Sequence, residues 1–505
     1  MSSADPLGRF GQSASAPSVW VLFAIIFFTF LANKLALPIS GNEENYLAFA
    51  KQFWNPQWIP GSFSLTDFPG TRLVFQIIVG STLNHLQWDF ALVLFRIIGF
   101  CLLSVGAAHF VRRLGLGYLD VFVAFQLYIM SGQSMFGGEH IFLDFEPKTL
   151  AYSVAFPSLA YFLSGKYKKA AIFLVLASHF HFLIGGWLAL FFSIQMIVEK
   201  RFQHWFKFIS IFILGLIPFV TYLYAGYFLG NDPVIDHNTD WIYVYFRNPH
   251  HLGIFSSGKY FWNNAAVGVT LSIVILVLSF LLHRTFEGVS KRLNSLLRII
   301  LVFNLFFVLV AWFDYAVLDS SGGLFLKYYP FRSNALASFF TVLLSIVWLK
   351  KMLDKNKHAY FIKTVAFAML VLGIIQSYNS FQWKKEAVFS DPYLAVCDFV
   401  RTETPKQSSF ALVAMETSDS EKIAFMRMTE REDFAVFKFV PTEKSRVLEW
   451  YARQKELHLL SENIENYGSA KRKYGIDYVL TTRRYDSDGL ELVYFNDKFC
   501  LYEIL

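Results

Sequence analysis

Charge is scarce in this chain. Only 16% of its 505 residues are Asp, Glu, Lys or Arg, against about 25% in soluble domains, which excludes a protein of this length folding wholly in water. Cysteine is nearly absent, with three in all, so no disulfide framework and no cysteine-based metal site is expected. Cys101 lies in an apolar run. Cys397 and Cys500 lie in the C-terminal region, where they could pair in an oxidising compartment or remain two buried thiols. No internal repeat is visible, which argues against an inverted-repeat transporter. The net charge of +7 is carried by short loops between apolar runs, so it argues for membrane topology and against a nucleic-acid partner. No small-residue cleavage site follows the first apolar run, Val19 to about Pro38, so that run is read as a retained anchor.

What is abundant is apolar and aromatic: 55% hydrophobic residues, 19% aromatics and 57 Phe. A membrane-crossing helix needs about 20 apolar residues. Segments 18–38, 89–110, 206–229, 263–283, 296–317, 332–350 and 360–378 meet that need, and 117–132, 148–164, 168–184 and 185–198 are shorter candidates. The last two are expected to turn back at Gly185-Gly186 as a tight hairpin. Segment 72–86 reads as an interfacial helix. The expected fold is an all-α polytopic membrane bundle of about eleven transmembrane helices with a small C-terminal soluble α/β domain. The domain plan is a disordered tail at 1–17, a transmembrane domain at 18–380 and a soluble domain at 381–505.

Basic residues fill alternate loops: Arg112 and Arg113; Lys166, Lys168 and Lys169; Lys200, Arg201 and Lys207; Arg284, Lys291 and Arg292; Lys350, Lys351, Lys355 and Lys357. The positive-inside rule makes these cytoplasmic. The N-terminus is then cytoplasmic, and 39–71, 133–147, 230–262, 318–331 and 379–505 are extracytoplasmic at the cytoplasmic (inner) membrane. In the soluble region, 409–414, 434–440 and 478–482 read as strands and 443–462 as a helix. Leu490–Tyr494 and Phe499–Leu505 around Asn496-Asp497 read as a hairpin.

The outer loops collect the polar chemistry. The first carries Glu43 and Glu44, suited to a general base or a metal, or else simply an acidic helix start with Asn42 as cap. It continues through Asp67. The second holds Glu139, His140, Asp144, Glu146 and Lys148 within ten positions, with bare charge at the membrane entry. His181 interrupts an apolar helix, and His179 lies two residues before it. The third loop offers Arg247, His250 and His251, and the last Lys327, Tyr328 and Arg332, cations that could clamp a phosphate. No metal ligand set is assigned; a divalent cation is possible.

Several stretches are similar to the GT-C superfamily of membrane glycosyltransferases, in an uncharacterised bacterial branch. They are Asn42-Glu43-Glu44-Asn45-Tyr46, Phe145-Glu146-Pro147-Lys148 with Ala151-Tyr152, His179-Phe180-His181 with Gly185-Gly186-Trp187, and Arg247-Asn248-Pro249-His250-His251. In the tail they are Phe437-Lys438-Phe439-Val440-Pro441 and Glu449-Trp450-Tyr451-Ala452-Arg453. The resemblance implies a polyprenyl-phosphate sugar donor and transfer at the outer face in envelope glycan assembly. A glycan or protein would be the acceptor. It points to Glu43 or Glu44 as base, Glu43 first, although Asn42 stands where the family often has Asp. The other loop residues would bind substrate. The rival expectation is a non-catalytic GT-C-like scaffold, or a lipid-linked glycan transporter or assembly partner.

Overall fold

A computed structural model describes residues 17–35, 38–142, 144–228, 238–256, 258–386, 389–462 and 466–505. The expected tail at 1–17 lies outside the described residues apart from Pro17, as does Leu143 of the second loop.

The N-terminal part is a helical bundle: α1 Val19–Phe30, α2 Gly41–Trp54, α3 Leu73–Leu83, α4 Trp88–Val111, α5 Tyr118–Met130, α6 Pro147–Leu163, α7 Tyr167–Phe180, α8 Phe182–Val198, α9 Phe202–Phe228, α10 Ala266–Leu281, α11 Gly288–Phe313, α12 Asn334–Met352 and α13 Lys355–Glu386. Five helical stretches among the described residues are long and apolar enough to cross a membrane: Trp88–Leu114, Phe202–Tyr227, Gly288–Ser321, Leu326–Met352 and Lys355–Asn379. Val19–Leu35, Tyr118–Met130, Phe182–Val198 and Ala266–Leu281 are apolar but shorter. Large apolar side chains such as Leu214, Leu309 and Phe367 face outward, as lipid-facing helices require.

Small residues set the closest helix contacts. A Cβ on Gly106 of α4 would stand 2.2 Å from the Ser153 carbonyl of α6, and one on Gly80 of α3 2.1 Å from the Ala50 carbonyl of α2. The 11 residues of α3 span only ~16 Å, about half a hydrocarbon core. The reversal between α7 and α8 falls at His181, which is extended (φ −155°, ψ 100°), four positions before the glycine pair. Gly185 instead lets α8 press on α7, since a Cβ there would meet Ser178 Oγ.

The basic turns gather at one end of the bundle. Lys350 donates to the Gly115 carbonyl, Lys351 pairs with Glu287, and Arg292 donates to the Phe162 and Leu163 carbonyls and to Glu199. The start of α6, a helix length away, lies beside the C-terminal domain.

That domain is a five-stranded sheet, β1 Ser409–Leu412, β2 Glu432–Asp433, β3 Tyr478–Thr481, β4 Leu490–Phe495 and β5 Cys500–Ile504, in the order β2-β1-β3-β5-β4. β1 runs parallel to β2 and β3, and β5 is antiparallel to β3 and β4. Four helices cover it, α14 Asp391–Glu403, α15 Asp419–Thr429, α16 Lys444–Glu462 and α17 Tyr467–Tyr474. The strand expected over 434–440 does not form. Pairing stops at Asp433, and the run turns away to bury Val436 and Phe439 against Ala48, Phe49 and Trp58 of the bundle. Tertiary burial there outweighs β propensity. All three cysteines are free. Cys397 packs with Phe410 and Leu480, whereas Cys500 packs with Val479 and Tyr502, in separate apolar clusters of the domain.

Candidate functional site

The first loop enters α2 through a capping box. Ser40, not Asn42, is the cap: its hydroxyl accepts from the Glu43 N–H at 3.1 Å, and Glu43 Oε2 accepts from the Ser40 N–H at 3.0 Å. The spacing S-x-x-E is the sequence signal for this. Glu43 is wholly buried. Arg96 of α4 grips it with two donors, Nε at 2.7 Å to Oε1 and Nη2 to Oε2, and the Phe145 N–H adds a third at 3.1 Å. Arg96 also donates to the Leu35 and Pro38 carbonyls. Glu43 therefore ties α1, α2, α4 and the second loop together.

Glu44 points to the C-terminal domain, where Arg427 Nε reaches its Oε1 at 2.7 Å. Burial raises its carboxyl above the usual range, against the pull of Arg427. Asp67 lies in the same seam, accepting from Arg72 Nη2 at 2.9 Å and from the Thr442 N–H and hydroxyl at 2.9 Å.

The second loop is folded around Gln133, whose side chain accepts from the Ile141 and Phe142 N–H groups and donates to the Phe142 carbonyl. Gly137 and Gly138 take φ of 78° and 60°, a region glycine enters freely. This aims Glu139 inward. Arg332 Nε donates to it at 3.2 Å, and Lys148 lies 3.6 Å away and 3.0 Å from Glu146. Burial pushes Glu139 upward, but Arg332 and Lys148 outweigh it and hold the carboxyl well below its ordinary range. Arg332 also donates to His181 Nε2 at 2.5 Å. A guanidinium only donates, so the His181 proton sits on Nδ1, which is buried without a partner among the described residues. Glu146, Lys148, Glu139, Arg332 and His181 thus form one connected chain.

Asp144 sits beside this chain with the opposite electrostatics. Burial, and then the Glu43 and Glu146 carboxylates, push it up to about 7, against Lys148 and a hydrogen bond from Ser40. No ion pair holds it among the described residues. Burial and the Glu146 charge likewise push the Tyr46 hydroxyl up to about 12. His140 is brought down to about 4 by burial and then Lys148, and His250 to about 4 by burial and then His251. His251 accompanies the cluster: its Nδ1 lies 2.8 Å from the Gly137 carbonyl and its ring 4.0 Å from that of His250. Arg247 is buried and its Nη2 donates to the Lys438 carbonyl at 3.2 Å.

The structure therefore brings Glu139, Asp144, Glu146, Lys148, His181, His251 and Arg332 together, with His140, His250 and Arg247 at the rim. It sets Glu44 and Asp67 in the domain seam. Lys327 pairs with Asp240 at 2.7 Å, and Tyr328 is exposed, accepting from Trp187 through its carbonyl. Among the described residues no three metal-ligating side chains cluster. Arg96 belongs to the site although the sequence reading does not name it, and Tyr46 and Lys438 join it from stretches named above only for their resemblance. The signal for Arg96 was present: a lone arginine in an apolar run needs a partner. The chain matches no protein-family model, and no curated protein matches it in sequence.

Proposed function

We propose that this protein transfers a sugar from a polyprenyl phosphate to a hydroxyl acceptor, as GT-C enzymes do. The bundle would cross the inner membrane about eleven times, with the basic end and the N-terminus in the cytoplasm and the C-terminal domain outside. The observation that carries the reading is the pairing of unlike carboxylates at one buried site: Glu139 held ionised by Arg332 and Lys148, and Asp144 poised near neutrality. A base must be free to take a proton near working pH. Asp144 meets that condition, whereas Glu43 is committed to Arg96. Asp144 would take the proton of the acceptor hydroxyl as its oxygen bonds to the anomeric carbon. The bond from that carbon to the phosphate oxygen breaks, and the lipid phosphate leaves as an anion beside the cations.

The full chain in nanodiscs, given polyprenyl-phosphate sugars and candidate acceptors, should release lipid phosphate. Asp144→Asn should slow release about 10²–10⁴-fold. The wild-type rate should rise with pH and level off above about 7, because only ionised Asp144 accepts a proton. A wild-type rate in Asp144→Asn would refute the assignment. A second reading, a non-catalytic scaffold, is favoured by the commitment of both first-loop carboxylates to arginines; it predicts no turnover of any donor.

A further inference from the structure

The seam between the bundle and the C-terminal domain holds two cations, Arg247 and Lys438, that make no ion pair among the described residues. Arg247 belongs to the loop preceding α10 and is 7% exposed. Its hydrogen bonds go to Asn248 Oδ1 and the Lys438 carbonyl, and its Nε has no partner among the described residues. Lys438 is presented by the 434–440 run of the C-terminal domain and is half-buried. Its backbone carbonyl is fixed from two sides, by Arg247 and by Asn45 Nδ2 at 3.4 Å. Its ammonium lies at the N-terminus of α2, where a Cβ on Gly41 would stand 4.0 Å from Nζ. No carboxylate pairs with either cation among the described residues.

This arrangement is costly as it stands. Two like charges taken out of water repel each other, and a cation at a helix N-terminus opposes the helix dipole. Burial, then Arg247, lowers the Lys438 ammonium below its usual range, against the more distant pull of the Glu146 and Asp144 carboxylates. An anion between the two cations would reverse each of these costs, and the N-terminus of α2 would add to its stabilisation.

We infer that Arg247 and Lys438 form a composite binding site for a phosphate group, half supplied by the bundle and half by the C-terminal domain. It rests on the proposed reaction only for the identity of the phosphate, which would be the lipid phosphate of the donor. The Phe437–Phe439 ledge fixes Lys438 in place: Arg247 lies over the Phe437 ring at 5.1 Å, and Phe439 packs on Phe49 at 5.7 Å. The C-terminal domain is on this account part of the headgroup site.

The test is binding to the full chain in nanodiscs, measured with a polyprenyl monophosphate in the bilayer and, separately, with inorganic phosphate in solution. A charge-assisted hydrogen bond lost from such a site weakens binding about tenfold to a hundredfold. Lys438→Gln and Arg247→Gln should each do so, and Lys438→Arg should restore most of the affinity while melting as wild type. Loss of both ligands assigns the site to the phosphate itself. Loss of the lipid alone, with inorganic phosphate never bound, assigns it to the membrane-borne headgroup. Wild-type affinity for the bound ligand in Lys438→Gln, or binding of neither ligand by the wild type, overturns the inference. The assay needs no sugar transfer. Binding that depends on Lys438 in a protein that never turns over a donor would sink the proposed reaction and leave the site standing. Turnover indifferent to Lys438 would do the reverse.

Discussion

Glu43 and Asp144 lie close enough for their charges to interact, yet the fold treats them oppositely. Glu43 receives two guanidinium donors and two backbone N–H groups. Asp144 receives burial and the repulsion of two carboxylates, relieved in part by Lys148 and Ser40. A carboxylate saturated with donors is held in place and does mechanical work. One surrounded by other carboxylates shares its charge reluctantly and exchanges a proton near neutrality. Position in the first loop therefore says less about reactivity than the donors that the rest of the fold sends to each oxygen.

The comparison breaks most visibly at Glu43. Glu43→Gln removes the carboxylate that the buried Arg96 grips, and stability should fall by about 3–5 kcal/mol, seen as a lower melting temperature and poor recovery from the membrane. Asp144→Asn should fold and melt as the wild type. Equal melting of the two variants would remove the distinction.

Next in size is the response to pH of a second pair of buried acids. Burial pushes Glu432 up to about 7 and Asp433 up to about 8. The folded state holds these protons more tightly than the unfolded chain does. Their contribution is full below the ordinary carboxyl range and is lost as pH rises through about 7 to 8. Glu432 accepts from the Ser64 N–H at 3.2 Å, so the seam beside the first loop should loosen first. Its loss is about 3 kcal/mol at ~1.4 kcal/mol per pKa unit. Hydrogen-exchange protection at residues 62–65, taken relative to each amide's intrinsic rate, should fall between pH 5 and 8, and Glu432→Gln should flatten that fall.

Glu44 should cost less than Glu43. Its carboxyl is already raised by burial, so when Arg427→Gln removes its partner it can take up a proton rather than remain a bare charge. A loss of about 1–2 kcal/mol is expected, read from thermal unfolding. The smallest effect is none: dithiothreitol should leave the melting curve unchanged, because Cys397 and Cys500 occupy separate clusters as thiols.

Much of this was legible in the chain. The long apolar helices, the short helix α3, the hairpin β4–β5 and the helix over 444–462 follow from local pattern, and the observed elements match it closely. The charged second loop stands out because ions at a membrane entry are expensive, and its Glu139, Glu146 and Lys148 do join Arg332 and His181 in one chain, with Asp144 beside them. What sequence could not supply was pairing across the chain. Glu43 and Arg96 are 53 positions apart, and no local rule distinguishes a gripped carboxylate from a poised one. The failed strand at 434–440 has the same origin: its apolar alternation is real, but its partner is the bundle rather than the sheet. The hairpin turn moved to His181 because Gly185 was needed for close helix contact rather than for the bend.

The most direct measurement is the protonation of Asp144 itself. Difference infrared spectroscopy of the protein in nanodiscs, wild type minus Asp144→Asn, isolates its carboxyl C=O stretch. The account predicts a protonated carboxyl band at pH 5 that disappears with a midpoint near 7. A carboxyl at Asp144 that is already ionised at pH 5, or one that stays protonated at pH 9, would contradict it.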